Sequence, residues 1–368
     1  MKMKAAVLRE FGKPVGIEEV ELSSPKEKEV LIKTAFTGFC QSDLHFLRGR
    51  VNFGLPGVVG HEAAGIVEEV GSGVTSVKKG DHVVATWMVP CGTCPECMSG
   101  QGYICRKSVE IFSAGVLPDG TSRLKDSKGR QLGHQTFVSG FAEYMVVPEK
   151  GAVKVRNDLP LDQACFLGCC LPTGFGAVYN GAGVKPGDSV AIWGMGGVGL
   201  NVVHGAKLRS ANPIIGIDLE GHKEAIAREF GVTHFINSSK EDPVPIVKEL
   251  TGGGAHYTFE VIGDPGAVLQ ACWAIGLGGK HIQIGICPPD TMVPLPLTFL
   301  TGHCNSIVGT TYGMIQTERD IPTFADMALR GELLLDKLIT RKFKVEEIND
   351  VAEAMKQRQI LGRWVCEW

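Results

Sequence analysis

The sequence predicts a two-domain α/β protein, a β-rich domain followed by a doubly wound parallel-sheet domain. Three observations carry that prediction. The chain has 368 residues, more than one hydrophobic core ordinarily holds. From residue 177 to about 308, short apolar strands alternate with helical segments, the pattern of a parallel sheet wrapped on both faces. Residues 1–90 instead carry short β-branched runs, Val30–Lys33, Gly65–Val70 and His82–Ala85, separated by glycine turns.

Bulk properties narrow the function classes. A net charge of −3 gives no reason to expect nucleic acid or an anionic membrane as a partner. Glycine or charge breaks every apolar run well before the roughly 18 residues a membrane span needs. The N-terminus has two lysines but no apolar stretch of signal-peptide length, so it reads as a first strand and the protein as cytoplasmic. In a reducing compartment, twelve cysteines point to metal or catalysis rather than to disulfides.

Within the β-rich segment lie Gly38-Phe-Cys40-Gln-Ser42-Asp43-Leu-His45 and Gly60-His61-Glu62-Ala-Ala-Gly65. Alone, Cys40 reads as a small buried hydrophobe and His61 with Glu62 as a surface pair. Gly168-Cys169-Cys170 adds another soft ligand. Cys40, His61 and Cys169 would make a three-ligand set with its fourth tetrahedral position open, as in a catalytic zinc site. Separations of 21 and 108 residues do not by themselves show that the three converge.

Cys91, Cys94, Cys97 and Cys105 form C-x2-C-x2-C-x7-C. Four thiolates so close can enclose one ion with no open position, which describes structural zinc. An iron–sulfur cluster uses similar spacing, but nothing else in the chain suggests electron transfer. Residues 106–140 are polar and glycine-rich, with turn signals at Pro118-Asp-Gly120 and Lys128-Gly-Arg130, and read as a long surface excursion. Strand character returns over 141–155, Leu161–Gly168 reads as a helix, and Pro172, Gly174 and Gly176 begin the link to the second domain.

That domain is announced by an apolar strand at 190–193 ending in Gly194-Met-Gly196-Gly197-Val198-Gly199, with a helix over 198–209. Gly194 permits the tight turn, Gly196 lets backbone approach a pyrophosphate at the positive helix end, and Gly199 lets helix and strand close together. A second strand, 214–217, ends at Asp218, nineteen residues beyond Gly199. An acid there accepts ribose hydroxyls and repels a 2′-phosphate, so the unit reads as a site for NAD rather than NADP. Helices at His222–Phe230, Val244–Leu250 and Pro265–Ile275 and strands at His234–Asn237, Thr258–Ile262, Lys280–Ile286 and Ile307–Gly309 complete a six-stranded sheet. Helices at Asp320–Arg330 and Ile348–Gln357 follow it. The expected division is 1–170, 171–308, and a 309–368 tail returning to the first domain.

Together these motifs resemble the zinc-dependent medium-chain alcohol dehydrogenases nearly end to end. The stretch from Gly60-His61-Glu62 through Gly71 to Val74 matches the family's zinc signature, and the four-cysteine lobe matches at every spacing. Gly168-Cys169, the Pro172-Thr173-Gly174 that follows, the glycine loop, Asp218 and Lys223 match as well. The resemblance implies a GroES-like catalytic domain joined to a Rossmann domain, with one catalytic and one structural zinc per subunit. Cys40, His61 and Cys169 would hold the catalytic zinc, and Glu62 would lie behind it, approaching the metal during ligand exchange. Asp43 would orient the histidine, Ser42 would meet the substrate oxygen, and His45 would end a proton relay. Gly194, Gly196, Gly197, Val198, Gly199, Asp218, Lys223 and Thr173 would bind NAD, and Trp87 would line the substrate pocket. The implied reaction is reversible oxidation of a primary or secondary alcohol, with zinc as Lewis acid and hydride passing to NAD.

The chain also departs from the family. Gln41 stands where many members carry a cation against the cofactor pyrophosphate; Arg363 is either its replacement or an exposed structural arginine. Members that oxidise glutathione adducts carry an arginine and acids for that substrate, whereas Gly49 and Val51 stand where such acids are expected. The long 106–140 segment resembles the dimeric branch, with a tetramer as the alternative. Two other functional readings stay open: a dehydrogenase that keeps its nicotinamide bound and passes electrons onward, and a non-catalytic redox-sensing relative.

Overall fold

The computed structural model describes residues 1–368 and divides into two compact units, Met1–Cys170 with Ile315–Trp368, and Leu171–Met314. In the first unit, a five-stranded closed barrel is formed by Lys2–Leu8, Gly16–Leu22, Leu124–Lys125, Gln131–His134 and Gly57–Val58. Alternation in the first strand turns Met3, Ala5 and Val7 inward against Val20, Leu22, Leu124 and Leu132. Beside it lies a seven-stranded sheet centred on Glu29–Gly38, which pairs antiparallel with both Ala63–Val70 and Tyr144–Pro148. The C-terminal strand Arg363–Glu367 pairs antiparallel with the end of Glu29–Gly38 and parallel with Ile339–Phe343, so the tail belongs to this unit.

The segment 106–140 is not the surface excursion its composition suggests. It supplies two barrel strands, and Leu117, Leu124, Leu132 and Phe137 lie in the core. The physical reason is the apolar set Leu117, Leu124, Leu132 and Phe137 packed in the barrel core, and the same segment buries Arg123, only 1% exposed. Its guanidinium is neutralised by Glu29, with Nε at 2.8 Å from a carboxylate oxygen, and by Asp119 at 2.7 Å. A buried arginine so paired tolerates the interior. The segment then turns sharply through Thr136, Phe137 and Ser139, all at positive φ (53°, 66° and 59°).

The second unit is a six-stranded, wholly parallel sheet. Its spatial order is His234–Asn237, Ile214–Asp218, Val190–Trp193, Ala255–Glu260, Ile275–Gln283, Ser306–Gly309. The connection reverses direction between Val190–Trp193 and Ala255–Glu260, the place where open α/β sheets bind ligands. Residues 309–314, expected with the tail, cluster here because Gly313 packs against Pro172 and Gly176 and accepts a hydrogen bond from Asn180 Nδ2 at 3.0 Å. No single helix is long and apolar enough to cross a membrane.

Candidate catalytic metal centre and cofactor loop

Three unrelated parts of the first unit converge on one point. Cys40 caps the helix Gln41–Leu47 after the central strand. His61 ends the loop before strand Ala63–Val70, and Cys169 follows the turn Cys165–Gly168. Their ligand atoms lie within 4.8 Å of one another, and all three residues are buried. His61 Nδ1 hydrogen-bonds Asp43 Oδ1 at 2.8 Å, and Asp43 Oδ2 accepts from the Cys40 amide at 2.8 Å. That leaves His61 Nε2 buried with no hydrogen-bond partner. A buried nitrogen without a partner, aimed at two thiols, fits a Cys2His zinc site.

The titratable groups of this site perturb one another strongly. The Cys40 thiol is held well below its ordinary range, chiefly by the hydrogen bond with Cys169 and then by the Arg363 guanidinium; Cys169 is raised by the same contact. Burial opposes charge on His61, yet the Asp43 carboxylate raises its pKa well above the usual value. Burial likewise pushes Glu62 up to about 7, against the attraction of Arg363.

Arg363 is not the exposed arginine of the second expectation. It is 3% exposed, donating from Nε to Glu62 Oε1 at 3.1 Å and from Nη2 to Cys40 Sγ at 3.2 Å. It is not a surface arginine: a buried carboxylate and a thiol engage its Nε and Nη2. His45 is buried, and burial together with Arg50 lowers its pKa. Ser42 is half-buried near the start of the same helix. Trp87 packs edge-on against Phe112, Phe112 against Phe46, and Phe46 against the His61 ring, with centroids 6.2–6.3 Å apart. An aromatic wall thus leads to the ligand histidine.

Sequence reasoning missed Gln135. Fully buried, it donates from Nε2 to Asp43 Oδ1 at 2.9 Å and accepts from the Gly60 amide at 2.8 Å. Its position in a polar segment gave no signal.

The ligand atoms of Cys91, Cys94, Cys97 and Cys105 also lie within 4.8 Å of one another. The Cys91–Cys97 and Cys94–Cys105 sulfurs are 4.0 and 3.9 Å apart, close to the tetrahedral edge of about 3.8 Å implied by zinc–sulfur bonds of about 2.3 Å. Burial opposes a thiolate at Cys91, but the Thr93 and Cys94 amides outweigh it and bring the thiol down to about 6. Four sulfurs fill the coordination sphere, so this lobe fits a structural ion. None of the twelve cysteines is in a disulfide.

In the second unit, Gly194 has φ +104°, and a Cβ at Gly199 would sit 1.8 Å from the Gly194 carbonyl oxygen. A Cβ at Gly196 would meet nothing within 4 Å, so the backbone there is open beside the N-terminus of helix Gly197–Leu208. Gly197 is buried within the first turn, while Val198 and Thr173 are half-buried. Asp218 accepts from the Met195 amide at 2.8 Å and from Lys223 Nζ at 3.0 Å. The loop, its acid and its lysine therefore come together as one site.

Residues 26–157 match the family model "Alcohol dehydrogenase GroES-like domain", and residues 197–330 match "Zinc-binding dehydrogenase". The chain is 39% identical to an alcohol dehydrogenase class-3 of Cereibacter sphaeroides, with 95% of each chain covered. It is 38% identical to an S-(hydroxymethyl)glutathione dehydrogenase of Paracoccus denitrificans, again over 95% of each. Its structure is similar to the crystal structure of benzyl alcohol dehydrogenase from Acinetobacter calcoaceticus, with a TM-score of 0.93, 30% identity, and coverage of 100% and 99% of the two chains. The chain belongs to the zinc-dependent alcohol dehydrogenase family, an oxidoreductase built from a GroES-like unit and a Rossmann unit.

Proposed function

We propose that this enzyme reversibly oxidises a primary or secondary alcohol with an apolar body to the aldehyde or ketone, using NAD. The observation that carries the reading is the buried, unpartnered His61 Nε2 set beside Cys40 and Cys169. Zinc bound there supplies a Lewis acid that lowers the pKa of an alcohol oxygen. NAD supplies the hydride acceptor. The chain's own residues do the rest. Asp43 fixes the His61 tautomer by holding Nδ1, so that Nε2 is the ligand atom. Ser42 takes the hydroxyl proton and His45 passes it on, kept ready as a neutral acceptor by its lowered pKa. The Gly194–Gly199 loop receives the pyrophosphate, and Asp218 receives the ribose, sharing it with Lys223.

Relatives from Paracoccus denitrificans and Synechocystis are named for a glutathione adduct. Here Gly49 and Val51 offer no acids for such a substrate, and the Phe46–Phe112–Trp87 wall suits an apolar one. NADH formation measured against benzylic, aliphatic and S-(hydroxymethyl)glutathione substrates, with and without a chelator, tests both points. Chelator-sensitive turnover led by the apolar alcohols is expected. Turnover of the glutathione adduct at least tenfold faster than of any apolar alcohol would overturn the substrate reading.

We further propose a homodimer in the cytoplasm. The sheet ends at the exposed edge strand Ser306–Gly309, and Ile307, Leu277, Met292 and Leu297 of the same unit are exposed apolar residues. Unpaired strand edges and apolar surface of this kind favour a second copy. Twelve cysteines without a disulfide suit a reducing compartment. Light scattering should give twice the chain mass; a single chain mass would rule the dimer out.

A further inference from the structure

Gln135 stands outside every motif, 74 residues from His61, yet its side chain touches the metal centre from behind. Its amide orientation is fixed unambiguously. The Gly60 N–H, 2.8 Å away, requires an acceptor, so Oε1 faces Gly60. Nε2 therefore faces the Asp43 carboxylate, donating to the same Oδ1 that receives His61 Nδ1. Turning the amide over would set oxygen against oxygen at Asp43 and nitrogen against nitrogen at Gly60.

The two contacts grip His61 from two sides. Through Asp43, Gln135 fixes the carboxylate that sets the imidazole's rotation. Through Gly60, it fixes the backbone one residue before the ligand. Gly60 has φ +105°, and a Cβ there would lie 2.5 Å from the Phe141 amide nitrogen, so this backbone is already pressed against the segment that carries Gln135. That segment holds three residues at positive φ over 136–139, all of them buried. Strained backbone kept in a fully packed place is commonly kept for a site.

We propose that Gln135 is a positioning residue for the catalytic metal, bridging Asp43 and Gly60 so that His61 Nε2 is held in the direction of Cys40 and Cys169. This rests on the zinc reading above. Zinc content and chelator competition on the wild-type enzyme come first: if no zinc binds at the Cys40–His61–Cys169 site, that reading fails before Gln135 is tested.

The test measures zinc affinity at the catalytic site of the full-length enzyme by chelator competition, with the four-cysteine zinc as internal control. Gln135→Leu removes both contacts. Gln135→Glu keeps the side-chain length and the acceptor for Gly60, but turns a carboxylate oxygen towards Asp43. The expected loss of catalytic-site affinity is about 10–100-fold for Gln135→Leu, and larger for Gln135→Glu, with the four-cysteine zinc retained. A packing role alone predicts the reverse order, since Gln135→Glu preserves shape and one hydrogen bond. Should Gln135→Leu fail to fold, Gln135→Glu decides by itself. A folded Gln135→Glu enzyme that binds catalytic-site zinc within twofold of wild type overturns the proposal.

Discussion

His61→Ala is expected to keep one zinc per chain and to lose at least about a thousandfold in kcat/KM for the alcohol. Its imidazole is the only nitrogen in the three-ligand set, and Nε2 has no other partner. Removing it leaves Cys40 and Cys169, two of the three protein ligands a catalytic zinc uses. A Lewis acid contributes several kcal/mol to stabilising charge on oxygen, and each 1.36 kcal/mol is a factor of ten in rate. The four-cysteine lobe takes no ligand from this region, so its zinc remains. Metal analysis together with steady-state kinetics checks both halves. A variant holding two zincs with near-normal turnover would remove His61 from the site.

Arg363→Leu is expected to destabilise the first unit by about 3–5 kcal/mol, the range for removing one partner of a buried ion pair. Glu62 is 0% exposed, and its remaining donor in the structure is the Cys170 amide at 3.0 Å. The pH dependence has a definite sign. Glu62, pushed up to about 7 by burial, binds its proton more tightly in the folded chain than in the unfolded one, whose value is near 4.3. Its contribution to stability therefore falls as pH rises from about 4.3 to 7. Without Arg363 the folded-state value rises further and the falling window extends upward. The variant should thus lie close to wild type near pH 5 and well below it at pH 8. Thermal unfolding at the two pH values reads this difference, and an equal deficit at both would mean that lost packing dominates.

The parts of this molecule legible in its sequence are those whose causes are local. The loop Gly194–Gly199 and Asp218 lie within one strand–helix–strand unit, and each glycine is tied to a backbone approach that spacing alone implies. The four cysteines of the lobe fall within fifteen residues. Convergence of Cys40, His61 and Cys169 was not legible from spacing, because a barrel and a seven-stranded sheet must close before they meet; the family resemblance supplied what spacing could not. The burial of 106–140 was hidden for a similar reason. Arg123 looks like a surface residue until Glu29, 94 positions away, neutralises it. Arg363 finds Glu62 across 301 positions. Gln135 carries no sequence signal at all, since a glutamine among glycines and polar residues is what a surface loop contains.

The most direct measurement is anomalous diffraction from a crystal of the purified enzyme at the zinc edge. Two peaks are predicted per chain, one bounded by Cys40 Sγ, His61 Nε2 and Cys169 Sγ, the other enclosed by Cys91, Cys94, Cys97 and Cys105. A single peak in the four-cysteine lobe, from enzyme that turns over alcohols, would contradict zinc at the site built around His61.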